Sequence, residues 1–189
     1  MRRRNVGRPA SPAHHPERAK RARRAEQRLA ELGLELPAPP QPVASYLPAV
    51  ESGRLLFVSG MLPFQQGAVL HPGRLGEGVS LEEGAAAARQ AALNGLAVVA
   101  AAAGSLDRVA RVVRINGYVA SVPTFHQQPA VMNGASDLLA AVFGPGGRHS
   151  RVAVGVAVLP LNAPVELDLI IELHQRPLRS SRSGRARSR

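Results

Sequence analysis

Arg151 and Glu166 are the residues best placed to do chemistry in this chain. Each opens an apolar strand on one side of a Pro-bracketed turn, in the stretch RVAVGVAVLPLNAPVELDLIIE that covers 151–172. A guanidinium fixed at a strand end can hold a carboxylate through two parallel hydrogen bonds. A carboxylate brought near it can orient a water. The pair points to a small-molecule site for an acidic substrate, with no requirement for a metal or a thiol. Taken singly, each has an ordinary explanation: Arg151 as a structural arginine, Glu166 as a solvated acid at a strand end.

The elements that must position these two residues follow from the punctuation of the chain. Residues 25–32 form a short amphipathic helix stopped by Gly33, and Pro37, Pro39, Pro40 and Pro42 make an extended lead-in. Residues 43–50 and 54–59 read as strands joined at Ser52-Gly53, and 64–70 as an edge strand ahead of a Gly-rich loop at 71–78. Ser80 with Glu83 makes a capping box for a helix that runs to Ala103 and stops at Gly104. Residues 109–121 form a long β-branched strand, and 129–143 a second helix with Pro in its first turn and Gly144 just past its end. Strands at 152–159 and 165–173 close the domain. The order implies an α+β fold, with a mixed sheet carrying two helices on one face.

The last two strands are apolar on alternate positions and partly on both faces, the pattern of strands covered on both sides. Two long helices cover only one side, so the second face is expected to meet another copy of the sheet. The turn at 160–164 makes its flanking strands antiparallel and sets Glu166 beside Val158. Arg151 would then lie about seven residues away, or ~23 Å at ~3.3 Å per residue. That span is too long for one small substrate, so two groups acting together would come from different subunits.

Composition narrows the function classes. The 189 residues suit one domain, and with 45% hydrophobic but 3% aromatic residues its core is built from Ala, Val and Leu. No Trp and two Tyr leave little for base stacking by the domain. The lack of Cys removes disulfides, Cys-based metal sites and thiol catalysis, and is compatible with a cytoplasmic protein. The six His have no metal-ligand spacing, the loop 73–78 lacks the Lys-Ser/Thr ending of a phosphate loop, and no cofactor is implied. The longest apolar run, 93–103, falls short of the roughly 18 residues of a membrane span, so no membrane partner is expected.

The formal charge of +11 sits in the arms. Residues 1–24 hold nine Lys/Arg and one acid, and 176–189 hold six Arg and no acid, which leaves nine basic and twelve acidic residues for 25–175. Both arms have a composition rich in Arg, Ser, Pro and Gly that buries little and is expected to be disordered. Such arms attract polyanions weakly and in a salt-sensitive way, or simply solubilise the chain. The expected organisation is an arm at 1–24, a short helix and lead-in at 25–42, a folded domain at 43–175 and a tail at 176–189.

Several motifs in order carry a family resemblance: Tyr46 seven residues before Gly53, Leu55-Leu56-Phe57-Val58-Ser59-Gly60, Asn133 in the second helix, Arg151, Leu159-Pro160, and Glu166 six residues past that proline. Residues from about 43 to 172 resemble the RidA/YjgF family of reactive enamine/imine deaminases, whose members are homotrimers with a fold like that of the trimeric bacterial chorismate mutases. The segment 128–139 is similar to a divergent, chorismate-mutase-like subgroup. The resemblance implies hydrolysis of 2-imino or enamino acids to 2-oxo acids and ammonia. Arg151 would hold the substrate carboxylate and Glu166 would orient or deprotonate the water. Tyr46, Asn133 and the backbone at Gly60 would shape the pocket.

Three positions depart from the deaminase pattern. Met61 stands where those proteins usually have Gln, and Val152-Ala153 replaces a Ser-Cys pair. A segment at 126–129 looks inserted, and His149, near Arg151, matches no motif. The alternatives to a deaminase are a non-catalytic module that binds or senses small carboxylates and, more weakly, RNA binding through the arms. Chorismate mutase activity would rest on fold analogy alone.

Overall fold

A computed structural model of the chain describes residues 24–39 and 45–175. Of the arms expected at 1–24 and 176–189, all but Arg24, which opens the first helix, lie outside the described residues, as does the part of the lead-in at 40–44. The described elements are helices α1 (Arg24–Glu31), α2 (Leu81–Ala103) and α3 (Gln128–Phe143) and strands β1 (Ala49–Ser52), β2 (Leu55–Met61), β7 (Val109–Ala120), β8 (Ser150–Val156) and β9 (Val165–Leu173). Two-residue strands β3 (Phe64–Gln65) and β4 (Ala68–Val69), then β5 (Arg74–Leu75) and β6 (Gly78–Val79), form two small ladders apart from the main sheet.

The main sheet has the order β1-β2-β9-β7-β8, antiparallel throughout except for the parallel pair β7 and β8. It is the mixed sheet of an α+β fold, as the element order implies. Helix α2 lies over β9 and β2, and α3 over β8 and β7. Along β9 the side chains alternate: Val165, Leu167, Leu169, Ile171 and Leu173 are buried under the helices, while Glu166, Asp168, Ile170 and Glu172 occupy the opposite face. That opposite face exposes Val50, Phe57, Val152 and Val154.

Local chemistry explains where the helices begin and end. Ser80 Oγ accepts from the Glu83 N–H at 3.2 Å, and the Glu83 carboxylate accepts from the Ser80 N–H at 2.8 Å. Both halves of the capping box are therefore present. Gly104, at φ 86°, ends the helix in the left-handed region. By length and composition α2 could cross a membrane, which the 93–103 run alone did not suggest. In the fold it is the core helix, with Ala87, Ala88, Ala91, Ala92, Leu96 and Val99 wholly buried.

Three expected strands differ from those found. The first, at 43–50, reduces to Ala49–Ser52 among the described residues, since Pro48 has no N–H to give to a ladder. The edge strand at 64–70 is instead a two-plus-two hairpin about Gln66-Gly67, both at positive φ. The strand expected at 152–159 starts at Ser150 and ends at Val156, and 157–164 form a longer turn with a 3-10 segment, Pro160–Asn162. Leu161 and Asn162 take left-handed φ values of 56° and 57°, while Pro160 and Pro164 cannot donate to a continued ladder.

Helix α1 belongs to the same core, with Ala25 and Leu29 buried. Asp107 Oδ1 accepts from the Ala25 N–H at 3.1 Å, and Ser105 Oγ donates to Glu26 at 2.6 Å. Helices α2 and α3 meet so closely at Gly134 that a Cβ there would collide with the Ala85 carbonyl. We expect Gly134→Ala to lower stability by about 1–3 kcal/mol, the usual cost of overpacking. A urea denaturation midpoint equal to that of the unmodified chain would contradict this helix contact.

Candidate active site: two half-sites on one chain

Strand register decides which way each candidate residue points. On β7, Ile115 pairs with Arg151 of β8, while Tyr118 pairs with Glu166 of β9. Ile115 is wholly buried beneath the helices, so Arg151 lies on the helix side of the sheet. Tyr118 is an odd number of residues further on and faces the other side, and Glu166 with it. The two are about three residues apart along the strands, ~10 Å rather than the ~23 Å expected from the sequence. The expected distance assumed that β8 continued to 159; because it stops at Val156, Glu166 sits level with Val154. What separates them within one chain is the sheet itself.

Around Arg151 the sequence folds into a set of acceptors. Its Nη1 donates to Asn133 Oδ1 at 3.0 Å and to Ser136 Oγ at 2.9 Å, and its Nη2 donates to the Pro129 carbonyl at 3.1 Å. All three acceptors lie on α3, spaced so that one face of the helix aims them at the adjacent edge strand. A guanidinium has five N–H donors. Described residues take three of them, leaving Nε–H and one Nη2–H on a partly exposed side chain. Asn133, with its oxygen turned to Arg151, keeps its NH2 group free. Ser136 and the Pro129 carbonyl were not among the expected site residues. Ser136 lies three residues after Asn133, the helical spacing that could have revealed it.

Glu166 belongs to the second group. It crosses Gly60, where any Cβ would strike its carboxylate, so the glycine in the irregular pairing between Val58 and Met61 makes room for the acid. Ser59 Oγ donates to the Leu47 carbonyl at 2.7 Å, and the Ser59 N–H bonds the Pro48 carbonyl at 2.9 Å. These bonds bring the segment bearing the half-exposed Tyr46 alongside Gly60. The structure thus gathers Arg151 with Asn133, and Glu166 with Gly60 and the Tyr46 segment, but does not unite the two groups.

Electrostatics on the second face raise the proton affinity of Glu166. Burial pushes its pKa up, and the nearby Asp168 charge adds to the shift. No side-chain hydrogen bond from a described residue reaches its carboxylate, although Tyr118 lies on the same face. Asp168 differs, since it accepts from Asn116 Nδ2 at 2.8 Å and from the Tyr118 hydroxyl at 3.3 Å. The Tyr118 pKa is raised by burial and then by Asp168.

Of the three departures from the deaminase pattern, Met61 is buried and Ala153 packs on the core, while Val152 lies on the exposed face. A cavity of about 410 Å³ opens toward the end of β8, lined by Arg74, His126, Gln128 and Gly155 among others, and includes none of the five candidate residues. Among the described residues no cluster of His, Asp or Glu could hold a metal ion.

The profile of the YjgF/chorismate mutase-like family, which carries a provisional endoribonuclease label, matches residues 26–173. The chain belongs to this family. It is 48% identical over 147 residues to Protein TCP17 of Trypanosoma cruzi, covering 77% of this chain and 92% of that protein. A crystal structure of a protein of unknown function from Agrobacterium tumefaciens is 45% identical, with a TM-score of 0.76, covering 84% of this chain and 98% of the other. A 2-iminobutanoate/2-iminopropanoate deaminase of Dermatophagoides farinae is 29% identical over 138 residues, 73% of this chain and 93% of that protein.

A raised carboxylate pKa has a consequence for stability. The folded chain binds the Glu166 proton more tightly than the unfolded chain, so keeping this group ionised costs stability above its folded pKa. Below the ordinary carboxylate range both states are protonated and the cost vanishes. Glu166→Gln should therefore melt higher than the unmodified chain at pH 7, with the difference shrinking as the pH falls toward the ordinary carboxylate range and gone below it. Melting curves that coincide at pH 7 and separate only in acid would contradict the assignment.

Proposed function

We propose that the protein hydrolyses reactive 2-imino acids to 2-oxo acids and ammonia, at sites completed between neighbouring copies of the chain. The observation that carries this is the state of Arg151. Three acceptors on α3 hold the guanidinium, and the two donors left over form a fork for a carboxylate. Glu166, whose proton affinity burial and Asp168 raise, is a stronger base than an ordinary carboxylate and suits the role of accepting a proton from water. In the step itself the water oxygen bonds to C2 of the imine, and Glu166 carries the displaced proton to the nitrogen. The hydroxyl proton of the resulting carbinolamine then passes to the nitrogen by way of Glu166, C=O forms as the C–N bond breaks, and ammonia leaves. Imines hydrolyse unaided, so positioning supplies most of the acceleration.

A second copy is needed because the two groups lie on opposite sides of one sheet. The exposed Val50, Phe57, Val152 and Val154 offer the apolar surface on which copies would meet, and a homotrimer is the proposed assembly. The deaminase name of the mite relative supports the same chemistry. A carboxylate-binding module without turnover is favoured by one feature: the Arg151 fork is complete without Glu166.

The test is release of 2-oxobutanoate from freshly generated 2-iminobutanoate. The protein is expected to accelerate it, to lose the effect in Arg151→Ala, and to elute at roughly three times the 19.9 kDa chain mass in light scattering. Stabilisation by 2-oxo acids without any acceleration would convert the assignment to the binding module. A stable monomer would remove the shared site.

A further inference from the structure

His149 is the charged-capable neighbour that neither the sequence motifs nor the proposed reaction uses. Its Nδ1 lies 2.6 Å from the Gly147 carbonyl, and its Nε2 lies 3.1 Å from Ser136 Oγ. A carbonyl oxygen can only accept, so at that distance Nδ1 must carry the proton. In the neutral form of the ring Nε2 is then an acceptor, and the Ser136 hydroxyl donates to it. With its one proton so committed, the serine oxygen presents lone pairs to the Arg151 Nη1–H at 2.9 Å. Gly147, His149, Ser136 and Arg151 therefore form a single directed chain of hydrogen bonds. With the ring neutral, every proton in it has one assignment.

The direction matters for what Arg151 can bind. Nη1 has two hydrogens, and Asn133 and Ser136 take both. Were Ser136 to point its proton toward Arg151, it would repel that N–H, and Nη1 would be free to turn toward solvent or ligand. We propose that His149 and Ser136 are positioning residues that hold the Arg151 guanidinium so that its Nε–H and Nη2–H edge, rather than its Nη1 end, receives the substrate carboxylate. The proposal rests on Arg151 as the carboxylate holder. The edge so presented offers two parallel donors to one planar carboxylate, as in 2-oxo and 2-imino acids. The glycine-rich 3-10 turn Gly144–Gly147 supplies the anchor, since His149 is fixed by a backbone carbonyl of that turn and not by a mobile side chain.

The experiment has a ligand-free arm and a binding arm, both on the full chain. Long-range proton–nitrogen NMR at pH 8 should show His149 with Nδ1 protonated and Nε2 bare, and Ser136→Ala should move the Nε2 signal. Titration with 2-oxobutanoate should show Ser136→Ala binding about three- to tenfold more weakly, the effect of one lost hydrogen bond, at an unchanged oligomer mass. Ser136→Thr, which keeps the hydroxyl, should restore most of that affinity, and His149→Phe should behave like Ser136→Ala. An Nε2-protonated His149, or Ser136→Ala with undiminished affinity, would overturn the proposal. Arg151→Ala keeps the two failures apart. If the unmodified chain and Arg151→Ala bind the oxo acid equally well, or neither binds it, Arg151 is not the carboxylate holder and the proposal falls with it. The NMR arm still reports whether the hydrogen-bond chain exists.

Discussion

Strand β7 pairs in parallel with β8 and antiparallel with β9, and every feature of the site follows from those two registers. Ile115 fixes Arg151 on the helix side, while Tyr118 fixes Glu166 on the open side. A shift of either strand by one residue would turn its whole row of side chains to the other face. The register is held by burial: Val165, Leu167, Leu169, Ile171 and Leu173 of β9 all lie beneath the helices. Stability and function are thus linked through one apolar row. The residues that anchor the core also decide on which face the acid emerges.

The two half-sites are built on different physical terms. Arg151 is over-satisfied in a useful way, since three helix acceptors remove its freedom while leaving a two-donor edge. Little side-chain entropy remains to be lost when a carboxylate binds. Glu166 is under-satisfied: it is half-buried, close to Asp168 and accepts no side-chain hydrogen bond from a described residue. In the proposed reaction the first group binds the carboxylate and the second takes the proton. The small residues that allow this, Gly60 under Glu166 and Gly134 between the helices, contribute space rather than chemistry.

Much of this was legible in the sequence. The capping box at Ser80 and Glu83, the Gly104 stop and the alternation along 165–173 each have a local cause, and each appears where the local signal puts it. Arg151, Asn133, Glu166, Gly60 and Tyr46 could be named from motif order. Their distribution into two groups could not, because it depends on β7 standing between β8 and β9, a pairing between residues distant in sequence. The end of β8 at Val156 was misplaced for a related reason. Residues 157–159 are apolar and strand-like, but the two flanking prolines and the left-handed Leu161 and Asn162 draw them into the turn. Ser136 was marked only by its helical spacing from Asn133, and His149 by nothing, because its meaning lies in a hydrogen-bond direction that only the folded geometry assigns.

The central claim is that one site takes its arginine from one chain and its glutamate from a neighbour. Arg151→Ala protein mixed with Glu166→Gln protein, unfolded and refolded together, tests it directly. In a ring of three, any mixed assembly contains one site with both native groups. Acceleration of 2-oxobutanoate release should therefore reappear in the mixture although each parent alone lacks it. Mixed trimers that form, as shown by tagging one parent, yet remain as inactive as the parents would contradict the shared site.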